Sequence, residues 1–213
     1  MRLYGYFRSS AAYRCRIGFA LKGITAEEAF VHLRKGDQKA ASFRAVNPQG
    51  LVPALDVGGR VLTQSLAILE WLDETHPRPA FLPGSAEDRA EIRAFAQIIA
   101  CDIHPLQNLR VLDYLRSEYG QDQAGVEKWC QRWIGDGLAA CEAILAGREQ
   151  EGPYCFGATP TLADICLVPQ VFSAERFGVD LEAMPRVRKI HRICSELPAF
   201  AGAHPAKQPD SEA

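Results

Sequence analysis

YFRSSAAYRCRIGFALKG, residues 6–23, passes within a few positions from an aromatic run into a helical pattern, and this junction decides how the chain folds. The flanking RLYGYF (2–7) is short, apolar and aromatic, which predicts a β-strand. AAYRCRIGFALKG (11–23) sets Ile17, Ala20 and Leu21 at helical spacing and stops at Gly23. Ser9 and Ser10 both stand at the turn, where one cap residue suffices. Arg8 precedes them, and Arg14 and Arg16 follow. A helix N-terminus presents unpaired N–H groups and about half a positive charge, so it attracts anions. The junction reads either as a plain cap or as a turn in which a serine hydroxyl donates to a thiolate or phosphate.

Working outward, EEAFVHL (27–33) predicts a second strand, and GDQKAASFRAVNP (36–48) a capped helix ending at Pro48. LVPALDVGGRVLTQS (51–65) predicts a hairpin turning at Gly58-Gly59. SLAILEWLDETHP (65–77) is an amphipathic helix, N-capped by Ser65 and closed by Pro77. The order is β-α-β-α-β-β-α. HPRPAFLPGSAED (76–88) then holds three prolines and a glycine, the composition of a linker. Beyond it every periodic stretch is helical: AEDRAEIRAFAQIIACDIHPLQNLRVLDYLR, VEKWCQRWIGDGLAACEAILA, TLADICLVPQVFSAERF and MPRVRKIHRICSELPAF. The closing AKQPDSEA is polar and is expected to fray. The expectation is an α/β domain over 1–77, a linker over 78–87 and an all-helical domain over 88–213.

The 213 residues are 47% hydrophobic, enough for a sizeable core. A net charge of −2 and a pI near 6.2 argue against a general nucleic-acid binder or a membrane-surface protein. No apolar run approaches the ~18 residues that span a bilayer. The start MRLYGYFRSS lacks the apolar stretch of a signal peptide. Seven cysteines stand at 15, 101, 130, 141, 155, 166 and 194, with no C-x-x-C and no zinc-finger spacing. They read as reduced thiols in a cytoplasmic protein, and no metal is expected. No P-loop, H-E-x-x-H or G-x-G-x-x-G occurs.

Four further stretches carry chemistry or structure. In NPQGLVPAL (47–55), Pro53 marks an edge or a special turn. A cis Val52–Pro53 bond would face the Val52 N–H and C=O outward to pair with an extended peptide; otherwise Pro53 is an ordinary edge-strand proline. TQSLAILEWL (63–72) places Gln64 and Ser65 at a second helix start, which caps a helix or holds a carboxylate. In TPTLADICLVPQ (159–170), Thr161 and Asp164 fit a structural capping box. CDIHPLQNLRVLDYL (101–115) brings His104, Asn108 and Arg110 within two helical turns, with His104–Asn108 an i,i+4 pair, and SAERFGVD (173–180) sets Arg176 near a helix end. Taken singly, each of these reads as solvated surface.

Together these pieces resemble the soluble glutathione transferases, through the element order, N-P-x-x-x-V-P, Q-S before the third helix and the late Thr161–Asp164 cap. YFRSSAAYRCRIGFALKG is similar to the S-S-C-x-W-R-x-R-I-A-L signature of the zeta class, and HPLQNLRVL, LVPQVFSAERFGVDL and HPAKQPD also look like that class. The signature cysteine is Ala11 here, and the aromatic is Tyr13 rather than tryptophan. The resemblance implies a thioredoxin-like α/β N-terminal domain followed by an all-α C-terminal domain, with glutathione as cofactor and a homodimer as the assembly. Ser9 and Ser10 would orient its thiolate, Gln38 and the Val52 backbone its cysteinyl and glycyl parts, and Gln64 and Ser65 its γ-glutamyl carboxylate. His104, Asn108 and Arg110 would contribute from the helical domain. The implied substrate is a dicarboxylate, a maleyl keto acid (maleylacetoacetate or maleylpyruvate), isomerised from cis to trans by reversible thiolate addition. Ser9, Ser10, Arg8 and Arg176 would be catalytic, with Arg8, Arg110 and Arg176 as candidate carboxylate clamps. The missing C-x-x-C argues against disulfide exchange. A general transferase or peroxidase is the alternative, and a non-catalytic binding module, which Ala11 favours, is a third.

Overall fold

The computed structural model describes residues 1–148 and 152–212, and the chain divides into two compact units, Met1–Phe81 with Leu197–Ala213, and Leu82–Glu196. In the first, β1 (Arg2–Gly5) buries Leu3 and pairs on both sides. It runs parallel to β2 (Glu27–Phe30) and antiparallel to β3 (Ala54–Asp56), which pairs antiparallel with β4 (Val61–Thr63), in the order β2-β1-β3-β4. The hairpin turns where the sequence predicts, with Gly58 at φ 87° and Gly59 at φ 94°, left-handed values that glycine adopts without strain. Asp56 Oδ1 accepts the Gly59 N–H at 2.7 Å.

The register positions the candidate site. Gly5 lies opposite Phe30, Tyr4 opposite Ala54, and Ala54 opposite Thr63. The ends of β1, β2 and β4 and the start of β3 therefore meet at one edge of the sheet. Residues 6–10, 31–38, 47–53 and 64–65 all leave from that edge, so one end carries every first-unit candidate.

The crossover from β1 to β2 is α1 (Ser10–Leu21), which buries Cys15, Ile17 and Phe19 completely or nearly so. It packs on α3 (Ser65–Thr75) so closely at Gly18 that an added Cβ would overlap Leu69. A larger residue there would require the Leu69 side chain to move. Lys22 ties the helix end to Asp73 at 2.7 Å.

The strand predicted over 27–33 stops at Phe30. Asp37 Oδ2 accepts the His32 N–H at 2.9 Å and bends the chain into a 3-10 turn at Leu33–Lys35. The helix predicted over 36–48 is likewise broken: a turn at Asp37–Lys39, extended backbone at Ala40, then α2 (Ala41–Val46). The tail does not fray. α9 (Pro198–Ala203) packs on α1, and beyond it Asp210 accepts the Phe7 N–H at 2.9 Å while Glu212 pairs with His32 at 2.6 Å. Residues 197–213 thus group with the α/β unit, whereas the sequence predicts them in the helical domain.

The second unit is helical. α4 (Ala86–Gln97) starts at a Ser85/Asp88 capping box. The long helix expected from there is interrupted: Ile98–Ile103 winds as a π-helix, His104–Gln107 as a 3-10 turn, and Asn108 caps α5 (Leu109–Tyr119). Pro105, which lacks an N–H, sits in the short turn. α6 (Gln123–Ala146), α7 (Leu162–Arg176) and α8 (Pro185–Ser195) follow. α7 is buried all round from Leu162 to Val171, which makes it the unit's central helix.

Candidate functional site

At the sheet edge in the first unit, Ser9 is the N-cap of α1, at φ −71° and ψ 117°. Its Oγ accepts the Ala12 N–H at 3.3 Å, which leaves the hydroxyl proton available to donate. Ser10 is buried as the first residue of α1, and Arg8 is half-buried with its guanidinium 5.5 Å from the Phe7 ring centroid.

The flanking arginines do not line an anion site, as their pattern suggests; both turn inward. Arg16 donates to Phe7 O at 2.8 Å, Tyr6 O at 3.4 Å and Ala203 O at 3.1 Å, and burial lowers its pKa to about 10. Arg14 is 1% exposed and donates from Nη1 to Ser65 Oγ at 3.1 Å. The turn holding Arg8 and Ser9 is therefore clamped, on its carbonyls by Arg16 and on the Phe7 N–H by Asp210 of the tail. Asp210→Asn is expected to cost about 1–2 kcal/mol of stability through the weakened charge-assisted bond. It should also weaken glutathione binding several-fold. Thermal melts and calorimetric titration check both.

At the second helix start, Gln64 has φ 69°, the one left-handed non-glycine residue among those described. Such strain recurs at ligand sites. Ser65 is not the cap the sequence predicts: Gln64 takes that position, α3 has no side-chain cap, and the Ser65 hydroxyl meets Arg14 instead. The first N–H groups of α3 are thus left without a side-chain cap. Beside them the Val52–Pro53 bond is cis, and Val52 enters no backbone hydrogen bond outside the regular elements among the described residues. Asn47, buried, braces this loop by donating to Leu51 O at 2.7 Å and accepting the Gln49 N–H at 3.1 Å. Gln38 donates to Leu33 O at 3.2 Å while its Oε1 is buried without a partner. The Gln38 carbonyl stands against Gly50, where an added Cβ would lie 2.9 Å away.

In the second unit, His104 opens the 3-10 turn, half-buried. It does not form a helical i,i+4 pair with Asn108, because Asn108 is extended at ψ 142° and spends its Oδ1 accepting the Arg110 N–H at 3.1 Å. Arg110 is exposed at the start of α5. Arg176 is exposed at the end of α7, 4.5 Å from the Phe177 ring centroid. The two segments are tied by a buried bond from Gln107 Nε2 to Gln170 Oε1 at 2.7 Å, and Trp129 Nε1 donates to Leu106 O at 2.7 Å.

Sequence alone does not single out Arg14, Gln107, Gln170 or Asp210 as supports. Arg14 carried a signal: it lies one turn before Ile17, on the face that packs inward. A separate pocket in this unit is lined by Asp88, Arg148, Phe156, Arg186 and Ile190 and holds no candidate residue. Its arginines are already paired, Arg148 with Glu91 and Arg186 with Glu142, so chemistry is better placed at the sheet edge. Among the described residues no helix is long and apolar enough to cross a membrane, and no group of three or more His, Cys, Asp or Glu side chains could hold a metal ion.

Residues 8–75 match the glutathione S-transferase N-terminal domain and residues 123–202 the glutathione S-transferase C-terminal domain. A maleylpyruvate isomerase of Ralstonia sp is 52% identical over 99% of this chain and 100% of its own length. The holo structure of a maleyl pyruvate isomerase, a bacterial glutathione S-transferase in the zeta class, is 51% identical, covers 100% of both chains and superposes with a TM-score of 0.98. A maleylacetoacetate isomerase from Methylobacterium extorquens AM1, solved with bound malonate and glutathione, is 41% identical with a TM-score of 0.96, again over 100% of both chains. A thioredoxin-like unit with clamped serines at its first helix and a helical second unit thus carry the sequence of a known lineage: the chain belongs to the glutathione S-transferase family, in its zeta class.

Proposed function

We propose that the protein is a glutathione-dependent cis–trans isomerase that converts a maleyl keto acid, maleylpyruvate or maleylacetoacetate, to its fumaryl isomer. One observation carries the reading: a single sheet edge gathers two helix N-termini, an unpaired Val52 backbone and a serine hydroxyl, with no cysteine at the turn. Six of the chain's seven thiols are buried, and burial pushes Cys130 up to about 11 and Cys141 up to about 12. The exposed one, Cys101, belongs to the helical unit, so in this reading the attacking sulfur at the sheet edge is carried in by a cofactor.

The residues present fit glutathione. The uncapped N–H groups of α3 with Gln64 and Ser65 suit the γ-glutamyl carboxylate, and the unpaired Val52 groups and Gln38 suit the extended peptide. When bound, glutathione supplies a thiolate that adds reversibly to the cis double bond and so frees it to rotate. Ser9 donates its hydroxyl hydrogen bond to that sulfur, with Ser10 and the positive end of α1 beside it. A hydrogen bond to a charged acceptor contributes about 1.5–3 kcal/mol, equivalent to roughly one to two pKa units on the thiol. Arg8 and Arg176 hold the substrate carboxylates, because a planar guanidinium grips a carboxylate with two parallel bonds. Arg110, His104 and Asn108 complete the polar lining. In this reading 1–77, with the C-terminal segment from 197 grouped with it, is the glutathione-binding domain and 88–196 the substrate domain, and the protein works as a cytoplasmic homodimer. The malonate bound to the Methylobacterium relative agrees with a dicarboxylate substrate.

The test assays purified protein with maleylpyruvate, maleylacetoacetate and a chlorinated aromatic electrophile, each with and without glutathione. The proposal expects fast, glutathione-dependent isomerisation of a maleyl keto acid and slow conjugation of the aromatic. Fast conjugation with no isomerisation would mark a general transferase instead.

A further inference from the structure

Arg14 is the most deeply buried charged side chain whose partners do not account for it. It is 1% exposed, and Nη1 reaches Ser65 Oγ at 3.1 Å, but Nε and Nη2 are buried with no hydrogen-bond partner among the described residues. No carboxylate joins it among the described residues, although Lys22, about two turns further along at the C-cap of the same helix, is paired with Asp73. An unpaired buried cation is costly, and an anion bound beside it would offset that cost. The anion sought lies next door. Ser65 is the first residue of α3, whose leading N–H groups have no side-chain cap, and the strained Gln64 precedes it.

We infer that Arg14 is a positioning residue for the γ-glutamyl carboxylate of glutathione, acting through Ser65 and by its buried charge. This rests on the glutathione reading above. The Nη1–H bond occupies a lone pair of Ser65 Oγ and turns the Ser65 O–H toward the helix start, where it donates to the carboxylate. The guanidinium does not touch the ligand; its charge is felt across one side chain, in surroundings that screen it little. Arg14 and Ser65 thereby join the helix that activates the sulfur to the helix that grips the opposite end of the tripeptide.

Two ligands isolate this effect: glutathione, and γ-aminobutyryl-cysteinyl-glycine, which is glutathione without that carboxylate. Binding of each is measured by titration calorimetry on wild type, Arg14→Met and Arg14→Lys. Wild type should prefer glutathione by about tenfold or more, and Arg14→Met should bind the two within about threefold of each other. In turnover, Arg14→Met should raise the KM for glutathione while leaving kcat at saturation within about threefold, a split that general loosening does not produce. Arg14→Lys keeps the charge without the fork, so its preference should fall between the two, and it carries the test if Arg14→Met does not fold. A preference in the folded variants equal to that of wild type overturns the inference while leaving the glutathione reading intact. A wild type that binds neither ligand overturns the glutathione reading and the inference with it.

Discussion

Asp164→Ala is expected to lose about 3–5 kcal/mol of stability, several times the effect of an ordinary helix cap. Asp164 is 0% exposed at the start of α7, the helix buried on all sides. Its Oδ2 accepts the Thr161 N–H at 2.8 Å and the Thr161 hydroxyl at 2.9 Å, and its Oδ1 accepts the Cys155 N–H at 2.8 Å. The Cys194 thiol approaches Oδ1 at 3.9 Å. Burial pushes the carboxyl upward while the N–H donors of Cys155 and Thr161 pull it down, the pattern of a buried acid fully engaged by donors. Alanine strands those donors in a fully buried site, and each orphan costs about 1–3 kcal/mol. Chemical denaturation should show a lower midpoint with an unchanged slope, and glutathione binding by the folded fraction should be unaltered. A loss under 1 kcal/mol would mean the network adds nothing beyond a surface cap.

Arg176→Ala should raise the KM for the maleyl keto acid by about 30- to 150-fold, the equivalent of about 2–3 kcal/mol for a lost charge-assisted carboxylate contact. The KM for glutathione should stay within about twofold, because Arg176 belongs to the helical unit and the proposed glutathione contacts of the sheet edge do not include it. The residue ends α7, where its backbone is held by the same buried helix that Asp164 starts. Its guanidinium lies against Phe177 and keeps a defined direction while exposed. Arg176→Lys should recover only part of the loss, since an ammonium cannot present two parallel donors. Steady-state kinetics with each substrate varied in turn decides the matter, and an unchanged KM for the keto acid removes Arg176 from the site.

Several element boundaries are legible because short-range chemistry decides them. In the first unit Gly58-Gly59 fixes the hairpin and Ser9 caps α1, and in the second Thr161–Asp164 marks the start of α7. The π-helix at Ile98–Ile103 was not legible, because 86–103 keeps a continuous helical period and only Pro105 and Asn108 mark the change. The tail misled in the opposite direction. AKQPDSEA has no large apolar side chain, yet Asp210 and Glu212 are held by partners about two hundred positions away in sequence, Phe7 and His32. Pairing at that separation leaves no local trace. The candidate site divides in the same way. Ser9, Gln64 and Val52 sit at turns that the sequence announces, whereas the inward rotation of Arg14 and Arg16 depends on which face of α1 meets α3 and α9. Helical spacing pairs His104 with Asn108, but the chain leaves that spacing for a 3-10 turn and an extended Asn108.

The account stands on the claim that the start of α1 holds the sulfur of glutathione ionised. The direct measurement is a pH titration of the thiolate ultraviolet absorbance of the glutathione complex, for wild type and for Ser9→Ala. The bound thiol is expected to titrate about one to two units below the ~8.5 of a free thiol, moving back up by about one unit in Ser9→Ala with a matching fall in kcat. A wild-type complex whose sulfur titrates at the free-solution value would contradict it.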